Sequence, residues 1–548
     1  MRKICFALAL AGSVALVLAT SAAATMQGHE VTLTDPYAAC PLTPDVFGGV
    51  NYPDTEIEPW VQRNLANPDN LIGAFQQDRW SDGGARGLVA GWSFNDGYKW
   101  GETPLPFSKC AAPFYGGAVL PYDRASDPWT AVGPDGRAYT VSISFDANDN
   151  NNAVGAATSV DGGVTWQNQQ PIITDLDADP QFPFNDKESV TADPVHPGFA
   201  YVVWDRLVLI ACGPDVKPRR PVEYGPREAD PQDEPICFEG PTWFSRTTDG
   251  GVTWSKPVPI VPTLPDEQTI SNQIVVDPKT DRLYNFYLYF PNREPFTPEI
   301  RMVFSNDQGV TWSDQQFVNT NETVGIHDPD NPDQFAQTGD IIPEPAVDRN
   351  TGQLYVVWQD GRYNNFGEDD TLISTSVGAG LTGTWTVPQK VNLESDRAGF
   401  TPAINVNDLS QVGVDYYSLR HPDLGPDVWP TERYLRISNG PAVVSTPTSG
   451  GQPVAQFSFL QPTHVTGPFN MYMAPFAGGW FVGDYESLTI DRDGRSFHTY
   501  YSQTNCDTTN CPSVGVPAPA TGTLTTTSSP PDPVDIYTNS YFKNGGGP

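Results

Sequence analysis

Three arginines of the chain follow an aspartate at the end of an apolar segment that resembles a β-strand. They occur in Asp78-Arg79, Asp205-Arg206 and Asp360-Gly361-Arg362. A guanidinium group can bind a substrate carboxylate through two parallel hydrogen bonds, and it can equally form a structural ion pair. Because the same arrangement recurs at three places, structural ion pairs are the simpler interpretation of each arginine.

Other residues could bind metals. The run from Asp146 to Asn152 (DANDNNN) is rich in oxygen ligands, but it lacks the Gly and the final Glu of an EF-hand loop. A solvated turn is therefore the favoured interpretation, with structural calcium as the alternative. Zinc is disfavoured because the six histidines are scattered and the sequence has no C-x-x-C. The sequence has neither a phosphate-binding Gly loop nor a G-x-S-x-G motif. We therefore expect no cofactor and no catalytic metal.

Composition excludes two classes of protein. The chain has 548 residues, with 31 Lys and Arg against 65 Asp and Glu, which gives a net charge of −34. A surface with this charge repels nucleic acid. Hydrophobic residues make up 38% of the chain and aromatic residues 11%, which is enough to build packed cores. General disorder is therefore excluded as well.

The N-terminus is typical of an exported protein. Two positive charges in Met1–Lys3 precede an apolar run from Ile4 to Ala19, and Ser21–Ala24 ends in an A-x-A pattern. We interpret residues 1–24 as a signal peptide that is cleaved near Ala24, and we predict secretion. A membrane anchor is the alternative, but the run is short for a bilayer, so no stable membrane insertion is expected.

Six cysteines remain after removal of Cys5 with the signal peptide. An even number of cysteines in an exported chain favours disulfides. The short spacings suggest two local pairs, and the remaining two cysteines would form the third. The pairs are Cys212 with Cys237, Cys506 with Cys511, and Cys40 with Cys110.

A short turn motif recurs along the chain with the pattern S/T-x-D/N-x-G-x-x-W. It occurs at Ser93–Trp100, Ser159–Trp166, Thr247–Trp254 and Ser305–Trp312, and a degenerate copy ends at Trp385. The Asp or Asn closes a tight turn through the backbone, the Gly permits positive φ, and the Trp anchors the returning strand. The motif therefore predicts β-hairpins.

A second repeat has a period of about 70 residues, with about four short strands in each copy. This period predicts an all-β fold, namely a single β-propeller with four-stranded blades that spans residues 25–548. Seven blades are favoured and six remain possible. The last blade lacks one strand, which we expect the N-terminal segment near Val31–Thr34 to supply, so that the ring closes. We expect a monomer.

The turn motifs resemble the Asp boxes of sialidases and other bacterial neuraminidase repeat proteins, and the likeness extends along most of the chain. Asp boxes also occur in propellers that cleave other glycans or cleave nothing, so the resemblance implies the fold more strongly than the activity. The stretch from Phe481 to Gly494 is similar to the sialidase segment that carries the nucleophilic tyrosine.

The resemblance implies three catalytic residues. Tyr485 would be the nucleophile, Glu344 in Pro343-Glu344-Pro345 would be its base, and Asp82, shortly after Arg79, would be the acid/base. A neutral phenol suits a substrate that carries a carboxylate at its anomeric carbon, because a carboxylate nucleophile would be repelled. Sialidases are known exceptions to the usual pair of catalytic carboxylates.

The resemblance also implies an arginine clamp for the substrate carboxylate. Arg362 and Arg433 lie about where two of its three members would fall. The third is missing, because the chain has Glu56–Pro59 (EIEP) where the family has R-I-P, and Arg79 would have to substitute. Lys187 and Glu188 lie at a corresponding strand start and could line the pocket.

These observations favour a secreted exo-glycosidase of the sialidase-like class that acts on a glycan or glycoconjugate. A non-catalytic propeller that binds a glycan or a protein is the first alternative. A polysaccharide lyase on the same scaffold is the second. The sequence does not identify the sugar or its linkage.

Overall fold

The described part of the chain is built of β-strands. The computed structural model describes residues 28–41, 43, 46, 48–212, 236–378, 383–419, 428–446, 451–505 and 534–541. Two short 3₁₀ helices, Lys109–Phe114 and Met471–Met473, interrupt the strands, and these ranges contain no α-helix. The fold is therefore all-β, as the sequence predicts.

Most of the described strands form consecutive antiparallel groups of four, which we call units 1 to 7. Further pairings join units 1 and 2 into one eight-stranded sheet and units 3 and 4 into one nine-stranded sheet. The N-terminal strand is β1 (His29–Glu30). Unit 1 consists of β2 (Glu56–Arg63), β3 (Leu71–Arg79), β4 (Ala85–Ser93) and β5 (Gly101–Pro104). Unit 2 consists of β6 (Arg124–Val132), β7 (Ala138–Phe145), β8 (Asn152–Ser159) and β9 (Gln167–Asp175). Unit 3 consists of β10 (Phe184–Ala192), β11 (Ala200–Ala211), β13 (Thr242–Thr247) and β14 (Val258–Val261), with β12 (Ile236–Gly240) paired to β11.

The remaining units follow the same order. Unit 4 consists of β15 (Glu267–Asp277), β16 (Arg282–Phe290), β17 (Glu299–Ser305) and β18 (Gln316–Thr320). After β19 (Ile326–Asp328) and β20 (Asn331–Gln337), unit 5 consists of β21 (Glu344–Val347), β22 (Leu354–Asp360), β23 (Asp370–Thr375) and β24 (Gln389–Lys390). Unit 6 consists of β25 (Gly399–Val406), β26 (Val412–Ser418), β27 (Pro430–Ile437) and β30 (Thr463–Asn470), with the hairpin of β28 (Val443–Ser445) and β29 (Val454–Gln456) between its last two strands. After β31 (Trp480–Phe481), unit 7 consists of β32 (Ser487–Ile490), β33 (Phe497–Thr504), β34 (Val534–Tyr541) and β1.

The second strand of unit 5 begins with five apolar residues because both of its faces are covered. In β22, Leu354, Val356 and Trp358 pack against unit 4. Tyr355 and Val357 point to the other face and pack against unit 6. Successive side chains of a strand point to opposite faces, so a strand between two sheets needs apolar residues at every position.

The first strands of the seven units are neighbours in space. β2 contacts β6, and the contacts continue through β10, β15, β21, β25 and β32 back to β2. A cavity of about 360 Å³ lies between these strands and is lined by residues from all seven, including Trp60, Trp129 and Glu344.

The N-terminal strand completes unit 7. His29 pairs with Thr538 and Glu30 pairs with Tyr537, and the Val31 N–H donates to the Ile536 carbonyl at 2.8 Å. The paired strand thus lies immediately before Val31–Thr34, and the sequence analysis predicted a strand near that segment. This pairing covers the outer edge of β34, which would otherwise present unpaired backbone groups.

The turn motifs lie between the third and fourth strands of their units. In unit 2 the Ser159 hydroxyl donates to Asp161 at 2.8 Å, and Asp161 accepts from the Thr165 N–H at 2.9 Å. Gly162 and Gly163 have φ values of 81° and 94°. The turn is thus closed by the Asp carboxylate and uses the positive φ of glycine, which is the geometry that the pattern predicts.

The described residues contain two disulfides, Cys40–Cys110 and Cys212–Cys237, and both agree with the sequence prediction. They indicate an oxidising, extracellular compartment. Cys506, Cys511 and the predicted signal peptide lie outside the described residues. No helix in the described ranges is long and apolar enough to cross a membrane.

The oxygen-rich run that was weighed as a calcium site and a second group of possible metal ligands both contact protein cations. Asp146, at the start of the oxygen-rich run, accepts from the Lys109 ammonium at 3.3 Å. Among the described residues one group, formed by Asp96, Asp491 and His498, has its ligand atoms close together. The guanidinium of Arg63 contacts all three of these side chains.

Candidate active site

The first strands share a backbone irregularity near their N-terminal ends. In units 1, 2, 3, 4 and 6 the register with the second strand shifts there. One residue within each shift has a φ between 42° and 61°, and these residues are Glu58, Asp127, Lys187, Ser271 and Thr401. A positive φ is costly for a residue with a Cβ atom. Such bulges re-aim side chains, so the fold holds five side chains in a special orientation at one end of the cavity.

Four acidic residues of units 1, 2, 3 and 7 gather at this end, and we call them the acid cluster: Glu58, Asp127, Glu188 and Asp484. One oxygen of Glu58 accepts from the Asp484 N–H at 3.2 Å, and the other accepts from the Gln76 side-chain amide. Glu58 and Glu188 are 2% and 0% exposed, whereas Asp484 is partly exposed. The acid cluster therefore reaches solvent through Asp484.

Aromatic rings lie next to the acid cluster. Trp60 and Trp129 stack with centroids 3.5 Å apart, and the Tyr485 ring lies 5.0 Å from Trp129. The Lys187 ammonium lies 3.5 Å from the centroid of Tyr485, and it makes no hydrogen bond among the described residues. A cation over a ring face is attracted by the ring quadrupole, so Lys187 is held between the aromatic rings and the acids.

Burial and nearby carboxylates raise the pKa values of Glu58, Glu188 and Asp484. The pKa of Glu58 is raised to about 8 by burial and by the charges of Asp127 and Asp484, against the opposing effects of Lys187 and Arg79. Burial raises the pKa of Asp484 to about 6, and the two cations limit the rise. At neutral pH Glu58 therefore keeps its proton while Asp484 is ionised.

The cluster includes or adjoins four of the residues that the sequence singled out: Tyr485, Lys187, Glu188 and Arg79. The Arg79 guanidinium donates to the Gln76 side-chain oxygen at 3.1 Å and lies 4.9 Å from the Phe481 centroid. The Tyr485 hydroxyl donates to the Pro128 carbonyl at 3.2 Å. Burial, then the charge of Glu58, raises the pKa of Tyr485 well above its usual value, so the phenol is neutral.

Glu344 and Arg433 meet in a second buried group. The Arg433 guanidinium lies 2.9 Å from Asp415, and both side chains are 0% exposed. One oxygen of Glu344 accepts from the Ile404 N–H at 3.3 Å. Burial, then the charge of Asp415, raises the pKa of Glu344 well above its usual value. Among the described hydrogen bonds none joins Glu344 to Tyr485.

Asp82 and Arg362 lie in ion pairs of their own. The Asp82 carboxylate lies 2.8 Å from the Arg124 guanidinium and is 37% exposed. Arg362 binds both oxygens of Asp360, at 2.7 and 2.6 Å. This pair is the structural ion pair that the Asp-Gly-Arg spacing predicts. The three predicted clamp arginines are thus engaged in three different environments.

Sequence reasoning missed Glu58, Asp127 and Asp484. The sequence contains a pattern that marks two of these residues, because an acid followed by Pro and Trp occurs in Glu58-Pro59-Trp60 and again in Asp127-Pro128-Trp129. Both acids lie within the register shifts described above, and both tryptophans line the cavity.

No family model matches the chain, and no curated protein matches it. Its neighbours among solved structures are sialidases, arabinanases and arabinofuranosidases. The Hadza microbial sialidase Hz136 is 14% identical, with 80% of this chain and 72% of that chain covered and a TM-score of 0.38. The NanB sialidase from Streptococcus pneumoniae is 9% identical, with 84% and 91% covered and a TM-score of 0.42. The Penicillium chrysogenum α-L-arabinanase is 10% identical, with 89% and 96% covered and a TM-score of 0.36. At these identities and TM-scores the likeness lies at the level of the fold and does not extend to individual residues.

Proposed function

We propose that this chain is a secreted glycoside hydrolase whose acid cluster cleaves a glycosidic bond. The observation that carries the proposal is the hydrogen bond from the Asp484 backbone N–H to Glu58, which brings together two residues whose carboxyl groups differ in burial. Most glycoside hydrolases use one carboxyl group that holds a proton and one that is ionised. The pKa of Glu58 is raised to about 8, so this group holds a proton at neutral pH. The pKa of Asp484 is raised only to about 6, so this group is ionised.

The proposed scaffold is a closed seven-bladed propeller. The contacts between successive first strands, the contact of β32 with β2 and the single cavity that all seven strands line support this arrangement. β1 would complete the seventh blade. In such a ring the starts of the first strands converge on one face, which is where the acid cluster lies.

In the proposed reaction Glu58 donates its proton to the glycosidic oxygen as the bond to the anomeric carbon breaks. The ionised Asp484 stabilises the positive charge that develops at that carbon. A water molecule then adds to the carbon and returns its proton to the carboxylates. Lys187 and Arg79 supply the positive charge that keeps Asp484 ionised beside its acidic neighbours.

The charges around the site favour an uncharged sugar. A substrate carboxylate would have to enter beside Glu58, Asp127 and Asp484. Arg362 and Arg433 are already bound to aspartates, so they are not available as a carboxylate clamp. Placing like charges together in a poorly solvated site is costly. Neutral pentosides and hexosides are therefore the proposed substrates.

A tyrosine nucleophile is the second candidate mechanism, because Tyr485 lies beside the acid cluster as the sequence resemblance implies. In that mechanism a carboxylate must take the phenolic proton. The described hydrogen bond of Tyr485 goes instead to the Pro128 carbonyl, and this favours proton transfer by Glu58.

Hydrolysis of a panel of aryl glycosides tests the proposal. The panel contains neutral pentosides and hexosides, a uronide and a sialoside, and it is run with wild type, Glu58→Gln, Asp484→Asn and Tyr485→Phe. Glu299→Gln, on the third strand of unit 4, is the matched control. We expect a neutral glycoside to be cleaved, with a loss of about 10²–10⁴-fold in Glu58→Gln and no loss in the control.

Other outcomes separate the alternatives. Cleavage of the sialoside that Tyr485→Phe abolishes and Glu58→Gln retains would establish the tyrosine mechanism instead. A folded protein that cleaves nothing but is retained by polysaccharide gels would be a glycan-binding propeller.

A further inference from the structure

A small sheet formed by two insertions borders the acid cluster. β19 and β20 come from the connection between units 4 and 5, and β31 comes from the connection between units 6 and 7. β20 and β31 pair in parallel through Ala336 with Trp480 and Gln337 with Phe481. We call this sheet the rim sheet.

One face of β20 is buried and the other is open. Gln334 and Ala336 are 4% and 7% exposed, and the Gln334 side-chain oxygen accepts from the Trp480 ring N–H at 3.0 Å. Phe335 and Gln337 lie on the opposite face, because side chains alternate along a strand. Phe335 is 41% exposed.

The open face is continuous with the acid cluster. The Gln337 side-chain amide lies 3.4 Å from the Asp484 carboxylate, to which it donates. Two residues along a strand span about 6.8 Å, so Phe335 lies roughly one sugar ring farther from Asp484 than Gln337 does.

Neighbouring rings hold Phe335 without covering its face. The ring centroids of His327 and Phe476 each lie 6.4 Å from the Phe335 centroid, and the ring planes are inclined to it at 53° and 69°. No ring among the described residues stacks face to face on Phe335. The faces of an aromatic ring carry partial negative charge and attract the C–H groups of an apolar surface such as one side of a sugar ring.

We propose that Phe335 binds a second sugar ring of the substrate, so that the substrate is a neutral oligosaccharide rather than a single sugar on a small leaving group. Gln337 positions Asp484 and marks the boundary between the two sugar sites. The exposed Asp333, on the same face of β20, disfavours an anionic glycan there as well. This inference rests on the proposed function, because it places the second ring relative to Asp484.

The test compares substrates that reach Phe335 with substrates that do not. Wild type, Phe335→Ala and Phe335→Trp are assayed on a glycosyl fluoride and on a linear trisaccharide of the sugar that the glycoside panel identifies. Phe317→Ala is the matched control, since Phe317 is 52% exposed on the outermost strand of unit 4. We expect Phe335→Ala to raise KM for the trisaccharide about 3- to 10-fold, with an unchanged KM for the fluoride. Phe335→Trp retains the wild-type KM, and Phe317→Ala changes neither.

An unchanged KM for the trisaccharide in Phe335→Ala overturns the inference, and so does a wild type that cleaves the fluoride but no oligosaccharide.

Binding gives a readout that does not depend on catalysis. In native gels that contain soluble arabinan, xylan or galactan, Glu58→Gln should be retarded by one polysaccharide, and Glu58→Gln/Phe335→Ala should not be. Equal mobility of the two proteins in all three gels refutes the role of Phe335. Hydrolysis of the fluoride by wild type still reports on the proposed function in that case.

Discussion

Arg63 is expected to hold unit 7 against unit 1. Its side chain is 3% exposed and extends from β2 to the end of β32. The guanidinium lies 2.8 Å from Asp96 and 3.1 Å from Asp491, and it donates to the Ile490 carbonyl at 2.8 Å. The ring nitrogen of His498 lies 3.4 Å away. In a closed ring this is the junction between the first and last units.

The expected effect of Arg63→Met follows from the burial of its partners. The methionine retains the apolar stem, but the two carboxylates, whose side chains are 7% and 0% exposed, lose their buried counter-ion. Removing one partner of a buried ion pair costs about 3–5 kcal/mol of the free energy of unfolding. Arg397→Met is the matched control, because Arg397 and its partner Asp330 are 37% and 41% exposed and lie outside this cluster. An exposed pair contributes about 0–1 kcal/mol.

The assay is equilibrium urea unfolding of both variants and wild type at pH 8 and at pH 5. Burial, then the charge of Asp491, raises the pKa of Asp96 against the opposing charge of Arg63, so Arg63→Met raises the pKa of Asp96 further. A carboxyl group with a raised folded pKa loses stability as the pH rises through that pKa, so the defect is larger at pH 8 than at pH 5. A defect at pH 8 within about 1 kcal/mol of that of Arg397→Met would refute the assignment of Arg63 to the junction.

Three further predictions concern the site, a disulfide and a turn. If Glu58 is the acid and Asp484 the ionised partner, kcat/KM rises with pH near 6 and falls near 8. In Asp484→Asn the rise near pH 6 should disappear. A flat profile from pH 5 to 9 in wild type contradicts this assignment. Replacing Cys40 and Cys110 by Ser opens a loop closed over 70 residues and lowers the free energy of unfolding by about 4 kcal/mol, whereas no change in urea midpoint would contradict the pairing. Hydrogen bonds from Thr311 lower the pKa of Asp307 to about 2, so its contribution to stability is present above about pH 4 and is lost as the pH falls toward 2. Asp307→Ala should therefore destabilise the protein at pH 7 and leave it equal to wild type at pH 2, and a defect that persists at pH 2 argues against this origin.

Local patterns in the sequence predicted much of the fold. The turns at Asp161 and Asp307 depend on hydrogen bonds between residues at most four positions apart, so a short sequence motif determines their geometry. The apolar run of β22 indicates that this strand is covered on both faces. The N-terminal strand was expected because the last unit lacked one strand, and β1 takes that place. Each of these inferences rests on a short-range rule.

The candidate site was harder to predict because its parts come from distant segments. Asp484 contacts Glu58 across 426 residues of sequence, and the rim sheet joins Ala336 to Trp480. No local pattern specifies these pairings. The sequence resemblance singled out Tyr485, which lies beside the acid cluster. It did not identify Glu58, because the family pattern directs attention to an arginine that this chain lacks at that position.

The energetic cost of the acid cluster is itself an argument for function. Glu188 is 0% exposed, and neither of its carboxyl oxygens has a hydrogen bond among the described residues. A buried polar group without a partner costs about 1–3 kcal/mol, and each non-glycine residue at positive φ adds a similar amount. Asp127 and Lys187 carry the second cost at the same end of the cavity. Apolar residues at these positions would stabilise the fold more. A cluster that lowers stability in several independent ways at one place supports the proposed chemistry, since packing alone gives no reason to keep it.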